Sequence, residues 1–201
     1  MTEAAAVIAA NPRVAIHPGS VGKILPNLEC RIADDHEILV KSPSIMRQYW
    51  NNPAATEEAI SKDWLHTGDI GSLDADGYLT IVDRKKDLIV HAAGENISPQ
   101  NVETRLAGHP LIDQAAVFGD QSSYLVALIY ANPTYASQLL GPTYSQEELA
   151  KAMHTAIQET MTGQPSYEQI RRFALIEQPF STKAGELTPT LKIKRHIAWA
   201  H

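Results

Sequence analysis

Several short polar clusters along the chain carry residue types that do chemistry in proteins. Asp69 follows a Thr-Gly pair and offers a carboxylate that can accept two hydrogen bonds at once. Residues 83–87 (Asp-Arg-Lys-Lys-Asp) place charges between two apolar segments, and residues 192–196 (Lys-Ile-Lys-Arg-His) form a basic end. Taken singly, each has an ordinary structural interpretation: a turn cap at Asp69, a solvated turn, and a solvated basic tail.

The common catalytic motifs are absent. The glycines of residues 19–23 (Gly-Ser-Val-Gly-Lys) are too close together for a loop that wraps a phosphate, and no Ser or Thr follows the lysine. The chain also lacks Gly-x-Ser-x-Gly, His-Glu-x-x-His and Cys-x-x-Cys. None of the eight histidines has another four residues away, as two zinc ligands on one helix would require. These patterns argue against the common hydrolase and metal-site chemistries.

Composition places the 201 residues among ordinary folded proteins, with 44% hydrophobic and 20% charged residues. The formal net charge of -6 argues against a nucleic-acid partner. A single cysteine, Cys30, fits a reducing compartment. The longest apolar run, residues 124–131, is far shorter than the roughly 18 residues that cross a bilayer. We therefore expect a cytoplasmic protein without a transmembrane segment.

The elements that must position the polar clusters change in character along the chain. Short apolar stretches with turn residues between them make the first part mostly β, with one helix that starts at Asn52-Pro53 and runs to about Ile60. An Asp-Gly pair at 76–77 predicts a tight turn between two of the strands. The strands predicted in this part are residues 28–32, 37–40, 67–72 and 78–82.

Strands and helices alternate beyond residue 82. Helices are predicted from Ser98-Pro99 to about Ala107 and from Ser145, where Ser145 and Glu148 form a capping box. The predicted strands here are residues 88–90, 115–118, 124–130 and 173–177. The fold class is therefore α+β: a mostly-β first part, followed by a compact α+β unit in which helices flank a sheet.

Four polar stretches, in this order, resemble the C-terminal portion of the acyl-adenylate-forming enzymes. This superfamily includes acyl-CoA synthetases, peptide-synthetase adenylation domains and beetle luciferase. The stretches are residues 64–69, 83–87, 94–103 and 187–195. The last one, with Leu-Thr-Pro-Thr-x-Lys-x-Lys-Arg, is similar to the long-chain fatty acyl-CoA synthetase branch.

The first three residues resemble the end of the family's Tyr-Gly-x-Thr-Glu motif. The family's upstream phosphate loop and most of its acyl pocket have no counterpart here. The resemblance therefore implies the C-terminal part of an enzyme whose large N-terminal domain is missing.

The resemblance implies, first, a binding site for ATP or AMP. In the family, the residue matching Asp69 accepts hydrogen bonds from both ribose hydroxyls, and the one matching Arg84 contacts ribose and phosphate oxygens. Ile81 would pack on the adenine. Thr2 would contact the α-phosphate and Glu3 would hold Mg²⁺. We expect Thr2 and Glu3 to be disordered, because they lie at a chain end without the missing domain.

The resemblance also implies catalytic and mobile residues. Lys192 would neutralise the charge that develops on the carboxylate and the α-phosphate, with Lys194 as the competing candidate. Lys86 would be the hinge about which the small domain turns between the two half-reactions. Gly94 would let the pantetheine arm of coenzyme A pass close to the backbone. Val90 stands where many relatives have a lysine, which leaves that lysine's contribution to thioester formation in doubt.

These inferences define three segments: residues 1–82 as the end of the large AMP-binding domain, 83–86 as a hinge, and 87–201 as the small C-terminal domain. The expected function is a fragment of a ligase that activates a fatty acid with ATP to acyl-AMP and transfers the acyl group to coenzyme A. The chain alone should be inactive. Two alternatives stay open: an acyl-AMP ligase or adenylation domain that delivers to a carrier protein, and a non-catalytic nucleotide-binding or interaction module.

Overall fold

The computed structural model describes residues 1–199, and the last two residues of the expected small domain lie outside this range. The chain forms two compact units, Met1–Asp87 and a second that starts at Leu88. Sheets and helices are both present, which confirms the α+β class. None of the helices in residues 1–199 is long and apolar enough to cross a membrane.

The first unit is a seven-stranded antiparallel sheet with one α-helix. Its strands are Ala9–Ala10 (β1), Gly22–Ile24 (β2), Glu29–Ile32 (β3), Glu37–Lys41 (β4), Ile60–Ser61 (β5), Trp64–Leu73 (β6) and Tyr78–Arg84 (β7), and its helix is Pro53–Ala59 (α1). The strand order is β1-β2-β7-β6-β4-β3, and β5 pairs with β6. The long strands β6 and β7 therefore lie in the middle of the sheet.

Local chemistry explains the turns and close contacts of this sheet. The side chain of Asn52 accepts a hydrogen bond from the amide of Ala55 and caps α1, as the Asn-Pro pair predicts. Asp74 accepts hydrogen bonds from the amides at 76 and 78, which closes the predicted Asp-Gly turn. Gly71 lies in β6, between β4 and β7. Glycine is required there, because a Cβ added at this position would lie 2.3 Å from the carbonyl oxygen of Thr80.

The second unit packs helices against a three-stranded sheet. Its strands are Ile89–Val90 (β8), Asn96–Ile97 (β9), Ile112–Phe118 (β10), Leu125–Ala131 (β11) and Ile170–Leu175 (β12); its helices are Pro99–Ala107 (α2), Pro133–Leu140 (α3), Gln146–Thr160 (α4) and Arg195–Ala198 (α5). Strand β11 is central, antiparallel to β10 and parallel to β12, and β8 pairs with β9. Apolar residues from the sheet and from α2 and α4 form one buried core.

Helix starts in this unit follow the predicted caps. Ser98 caps α2, and Ser145 with Glu148 forms the complete capping box at α4. Helix α3 was not predicted, although Asn132-Pro133 at its start repeats the signal read correctly at Asn52-Pro53.

The ends of two strands differ from the prediction, because they depend on the strands with which each one pairs. Strand β6 extends to both sides of the predicted 67–72, because β4, β5 and β7 all pair with it. Strand β12 lies about three residues before the predicted 173–177, in parallel register with β11. Asp83 and Arg84, the first two residues of the expected hinge, are the last two residues of β7.

Candidate nucleotide site and lysine loop

Asp69 and Arg84 are brought together by the antiparallel pairing of β6 and β7, which places them directly opposite each other. Arg84 Nε donates to Asp69 Oδ1 over 2.8 Å. Gly68, at a φ of +69°, forms the bend that precedes Asp69. A carboxylate has about four acceptor positions, which suits it to accept hydrogen bonds from two neighbouring hydroxyls such as those of a ribose.

A polar cavity of about 480 Å³ lies against this pair. Its walls include four of the residues singled out from the sequence, namely Thr2, Glu3, Asp69 and Arg84. The remaining wall residues are Met1, Tyr49, Leu65, His66 and Thr67. Residues that are up to 83 positions apart in the chain thus meet at one cavity whose lining is mostly polar.

The expected disorder of Thr2 and Glu3 is wrong. Thr2–Ala4 forms a short 3₁₀ turn in which Ala4 is buried. The carbonyl oxygen of Glu3 accepts from the amide of Met46, and its Oε1 accepts from the Tyr49 hydroxyl over 2.9 Å. These contacts, made within the first unit, hold the segment in place without any further domain.

The carboxyl group of Glu3 has the properties of a hard-cation ligand. Hydrogen bonds from its own backbone and from the Tyr49 hydroxyl lower the pKa of Glu3, so the group is ionised at neutral pH. Among residues 1–199 no three His, Cys, Asp or Glu side chains cluster as a metal site. One carboxylate with phosphate oxygens and water is a common Mg²⁺ environment, so Glu3 fits Mg²⁺ that arrives with a nucleotide.

Ile81 and Lys86, which were also singled out from the sequence, are near Arg84 in the chain but are not among the residues that line this cavity. Ile81 lies on β7 opposite Gly71 with 45% of its surface exposed. Lys86 is exposed in a 3₁₀ turn after β7 and lines a second cavity of about 600 Å³, which shares Arg84 with the first. The fold leaves the side chains of both Ile81 and Lys86 exposed.

Sequence reasoning missed Glu37. This residue opens β4 with its side chain only 5% exposed, in contact with Gly68, His66 and Lys85. Burial raises the pKa of Glu37, but hydrogen bonds from Lys85, His66 and the Gly68 amide outweigh it, and the net pKa is lowered. A charged residue at the head of an apolar strand was the available signal, since such a position is seldom buried without partners.

Lys192 lies in the second unit at the end of a tight loop. The amide of Thr188 donates to the carbonyl oxygen of Lys192, and the amide of Lys192 donates to the Thr188 hydroxyl. Leu187 and Ile193 form a β-bridge below the loop, and Glu186 accepts from the amide of Lys194. The backbone at Lys192 is thus fixed on both sides, while its side chain is only half-buried.

The turn around Gly94 also belongs to the second unit. Gly94 donates to the carbonyl oxygen of His91 and has a φ of +88°, which favours glycine. A Cβ built there would meet nothing within 4 Å, so space around it is open. Val90 is the last residue of β8, as the sequence predicts, and its amide donates to Asp120.

Comparison with known proteins decides the family. Residues 86–201 match the family of AMP-binding enzyme C-terminal domains. The chain belongs to this family. The resemblance drawn from the four polar stretches is therefore confirmed.

Relatives extend the match beyond the small domain. The long-chain-fatty-acid–CoA ligase FadD15 of Mycobacterium tuberculosis is 38% identical over 190 residues, which are 89% of this chain and 32% of that protein. The long-chain-fatty-acid–CoA ligase of Escherichia coli is 39% identical over 130 residues, 59% of this chain and 23% of that protein. The chain spans about a third or less of the length of the curated relatives it matches.

A solved structure shares the fold. The O-succinylbenzoate coenzyme A synthetase MenE of Bacillus subtilis, solved in complex with AMP, superposes with a TM-score of 0.70 at 28% identity. The match covers 98% of this chain and 39% of MenE. MenE has also been solved in complex with ATP and a magnesium ion. Adenylate-forming enzymes are thus the structural relatives of both units.

Proposed function

We propose that this chain supplies the C-terminal part of a ligase that joins a fatty acid to coenzyme A. The observation that carries the proposal is the pairing of Asp69 with Arg84 at a polar cavity that Thr2 and Glu3 also line. The named activities of the relatives agree with it. In the first half-reaction a carboxylate attacks the α-phosphate of ATP, giving acyl-AMP and pyrophosphate. In the second, the thiol of coenzyme A attacks the acyl carbon and releases AMP.

The first unit would bind the nucleotide. Asp69 would accept hydrogen bonds from the ribose hydroxyls while Arg84 holds its carboxylate in place. The Thr2 hydroxyl would donate to the α-phosphate, and Ile81 would pack on the adenine ring. Glu3 would hold the Mg²⁺ that neutralises phosphate charge when bound.

Lys192 would act in the adenylation step. A lysine is a compact charge on a flexible stem, suited to neutralising oxygens whose charge grows in the transition state. The hydrogen-bonded loop from Thr188 to Lys192 fixes its backbone, which limits the region that the ammonium group samples.

The thioester step would use the Gly94 turn and a hinge. The open space at Gly94 would admit the pantetheine arm of coenzyme A. Lys86 is exposed, and it lies one residue before the boundary between the two compact units, at the end of the first. Rotation about its backbone would exchange the Lys192 loop for the Gly94 turn between the half-reactions.

A chimeric ligase tests this function. In FadD15 the matching C-terminal segment is replaced by this chain, and acyl-CoA formation is measured with a long-chain fatty acid, ATP and coenzyme A. We expect activity in the chimera, and roughly a 10²-fold loss of acid-dependent pyrophosphate exchange in Lys192→Ala, as for one lost transition-state charge contact. Lys194→Ala is the matched control and should stay within about threefold of the parent.

Three results would contradict the proposal. Unchanged pyrophosphate exchange in Lys192→Ala would remove this lysine from adenylation. Thioester formation on a phosphopantetheinyl carrier protein but not on coenzyme A would identify the carrier-dependent alternative. A folded chimera without either half-reaction would favour a non-catalytic module.

A further inference from the structure

The carboxylate of Glu37 is the centre of a polar cluster that the reaction, as described above, does not use. Its Oε1 accepts from the backbone amide of Gly68 over 2.9 Å. Its Oε2 accepts from Lys85 Nζ over 3.0 Å and lies 3.2 Å from His66 Nδ1. Lys85 also contacts Asp35 over 2.6 Å, at the turn that leads into β4. A nearly buried charge therefore has hydrogen-bond donors on two different segments, β6 and the turn after β7.

The segments that Glu37 joins are the ones that carry the nucleotide-binding pair. Gly68 directly precedes Asp69, and Lys85 directly follows Arg84. Asp69 and Arg84 are the last residue pair of the β6–β7 ladder, and the register shifts between Ile70 and the next residue. A ladder end next to a register shift is weakly held by its own hydrogen bonds. The carboxylate on the neighbouring strand β4 adds a restraint to both strand ends.

We propose that Glu37 is the positioning residue of the nucleotide site. One buried carboxylate holds the backbone before Asp69 and the side chain after Arg84, and so keeps Asp69 and Arg84 paired at the cavity. This inference rests on the proposed function, because it assigns Glu37 to the same site.

The charge of Glu37, and not only its shape, is what the arrangement needs. A glutamine could still accept from the Gly68 amide, but its second terminal atom would be an NH₂ group facing Lys85, whose ammonium group can only donate. Donor would then face donor at this position, which costs more than the loss of an ordinary hydrogen bond. Glu37→Gln therefore displaces both strand ends while leaving side-chain volume unchanged.

Amide exchange and AMP binding of the 201-residue chain test this inference. In Glu37→Gln we expect the Gly68 amide to exchange roughly tenfold faster or more, as for the loss of a hydrogen bond to a charged group. The amide resonances of Asp69 and Arg84 should shift, and the Kd for AMP in a calorimetric titration should rise roughly tenfold. Glu29→Gln, which removes an exposed carboxylate from β3, is the matched control and should change none of these quantities.

A second variant separates the two links. Lys85→Met removes the contact to the segment after Arg84 but leaves the acceptor of the Gly68 amide in place. We expect it to shift the Arg84 amide and to retain Gly68 protection within about threefold. This variant also keeps the inference testable if Glu37→Gln does not fold.

Two outcomes would overturn the inference. In the first, Glu37→Gln lowers the melting temperature but leaves the Gly68, Asp69 and Arg84 amides as in the parent, which means that Glu37 is only structural. In the second, the amides change but the Kd for AMP does not. A parent chain that fails to bind AMP contradicts the nucleotide site itself, and the exchange data then still decide whether Glu37 holds the two strand ends.

Discussion

At the scale of single residues, Leu191 has a backbone conformation that its side chain disfavours. It precedes Lys192 with a φ of +62°, and 71% of its surface is exposed. A left-handed conformation costs a residue with a Cβ about 1–2 kcal/mol. A glycine at this position would adopt the same φ without that cost.

Replacing Leu191 tests this cost. We expect Leu191→Gly to have a free energy of unfolding about 1 kcal/mol higher than Leu191→Ala, because both remove the exposed side chain and only glycine relieves the positive φ. Urea unfolding of the second unit, followed by circular dichroism, measures the difference. Equal stability of the two variants would mean that the loop relaxes to another conformation in solution.

At the scale of elements, an ion pair joins the chain around Lys192 to the rest of the second unit. Arg195 Nη2 donates to both carboxylate oxygens of Glu103 over 2.7 Å, and Arg195 Nε donates to the carbonyl oxygen of Val117 over 3.3 Å. Glu103 also accepts from the amide of Val117. Helix α5 is thereby tied to α2 and β10 three residues after Lys192.

Because both side chains are mostly buried, we expect Arg195→Met to lower the free energy of unfolding by about 3 kcal/mol. Arg195→Lys keeps the charge but loses the planar fork, so most of this loss should persist. The double variant Arg195→Met/Glu103→Gln should be more stable than Arg195→Met alone, since it removes the charge left behind and keeps an acceptor for the Val117 amide. Additive losses in this double-mutant cycle would show that the pair is not coupled.

At the scale of the whole molecule, the chain divides between Asp87 and Leu88. Lys86 precedes this boundary in an exposed 3₁₀ turn, whereas Lys85 beside it is held by Asp35 and Glu37. The proposed rotation would therefore take place after Lys85, in the two residues before the second unit. The salt bridges of Lys85 give the proposed hinge a defined start.

Fixing the backbone at Lys86 tests the hinge in the chimeric ligase. Lys86→Pro restrains φ, so we expect pyrophosphate exchange within about threefold of the parent and thioester formation lowered by about tenfold or more. Lys86→Ala, which leaves φ unrestrained, should keep both half-reactions. Equal losses of both half-reactions in the proline variant would argue against a hinge at this residue.

Local signals in the sequence were sufficient for the caps and turns. Asn52, Ser98 and Ser145 cap helices as predicted, and Asp74 closes the predicted turn, because these contacts join residues only a few positions apart. Strand lengths were less accurate, since they depend on partners far away in the chain. Strand β6 is longer than predicted because three strands pair with it.

The sequence by itself determined the family and the residues to examine, through polar stretches whose types and order are characteristic. Only the tertiary structure decided that Thr2 and Glu3 are held beside Asp69 and Arg84, and that Glu37 supports that pair. The physical reason is burial. From the sequence alone, no partner can be assigned to a carboxylate at the first position of an apolar strand. Folding brings a lysine from 48 positions away to within hydrogen-bonding distance of it.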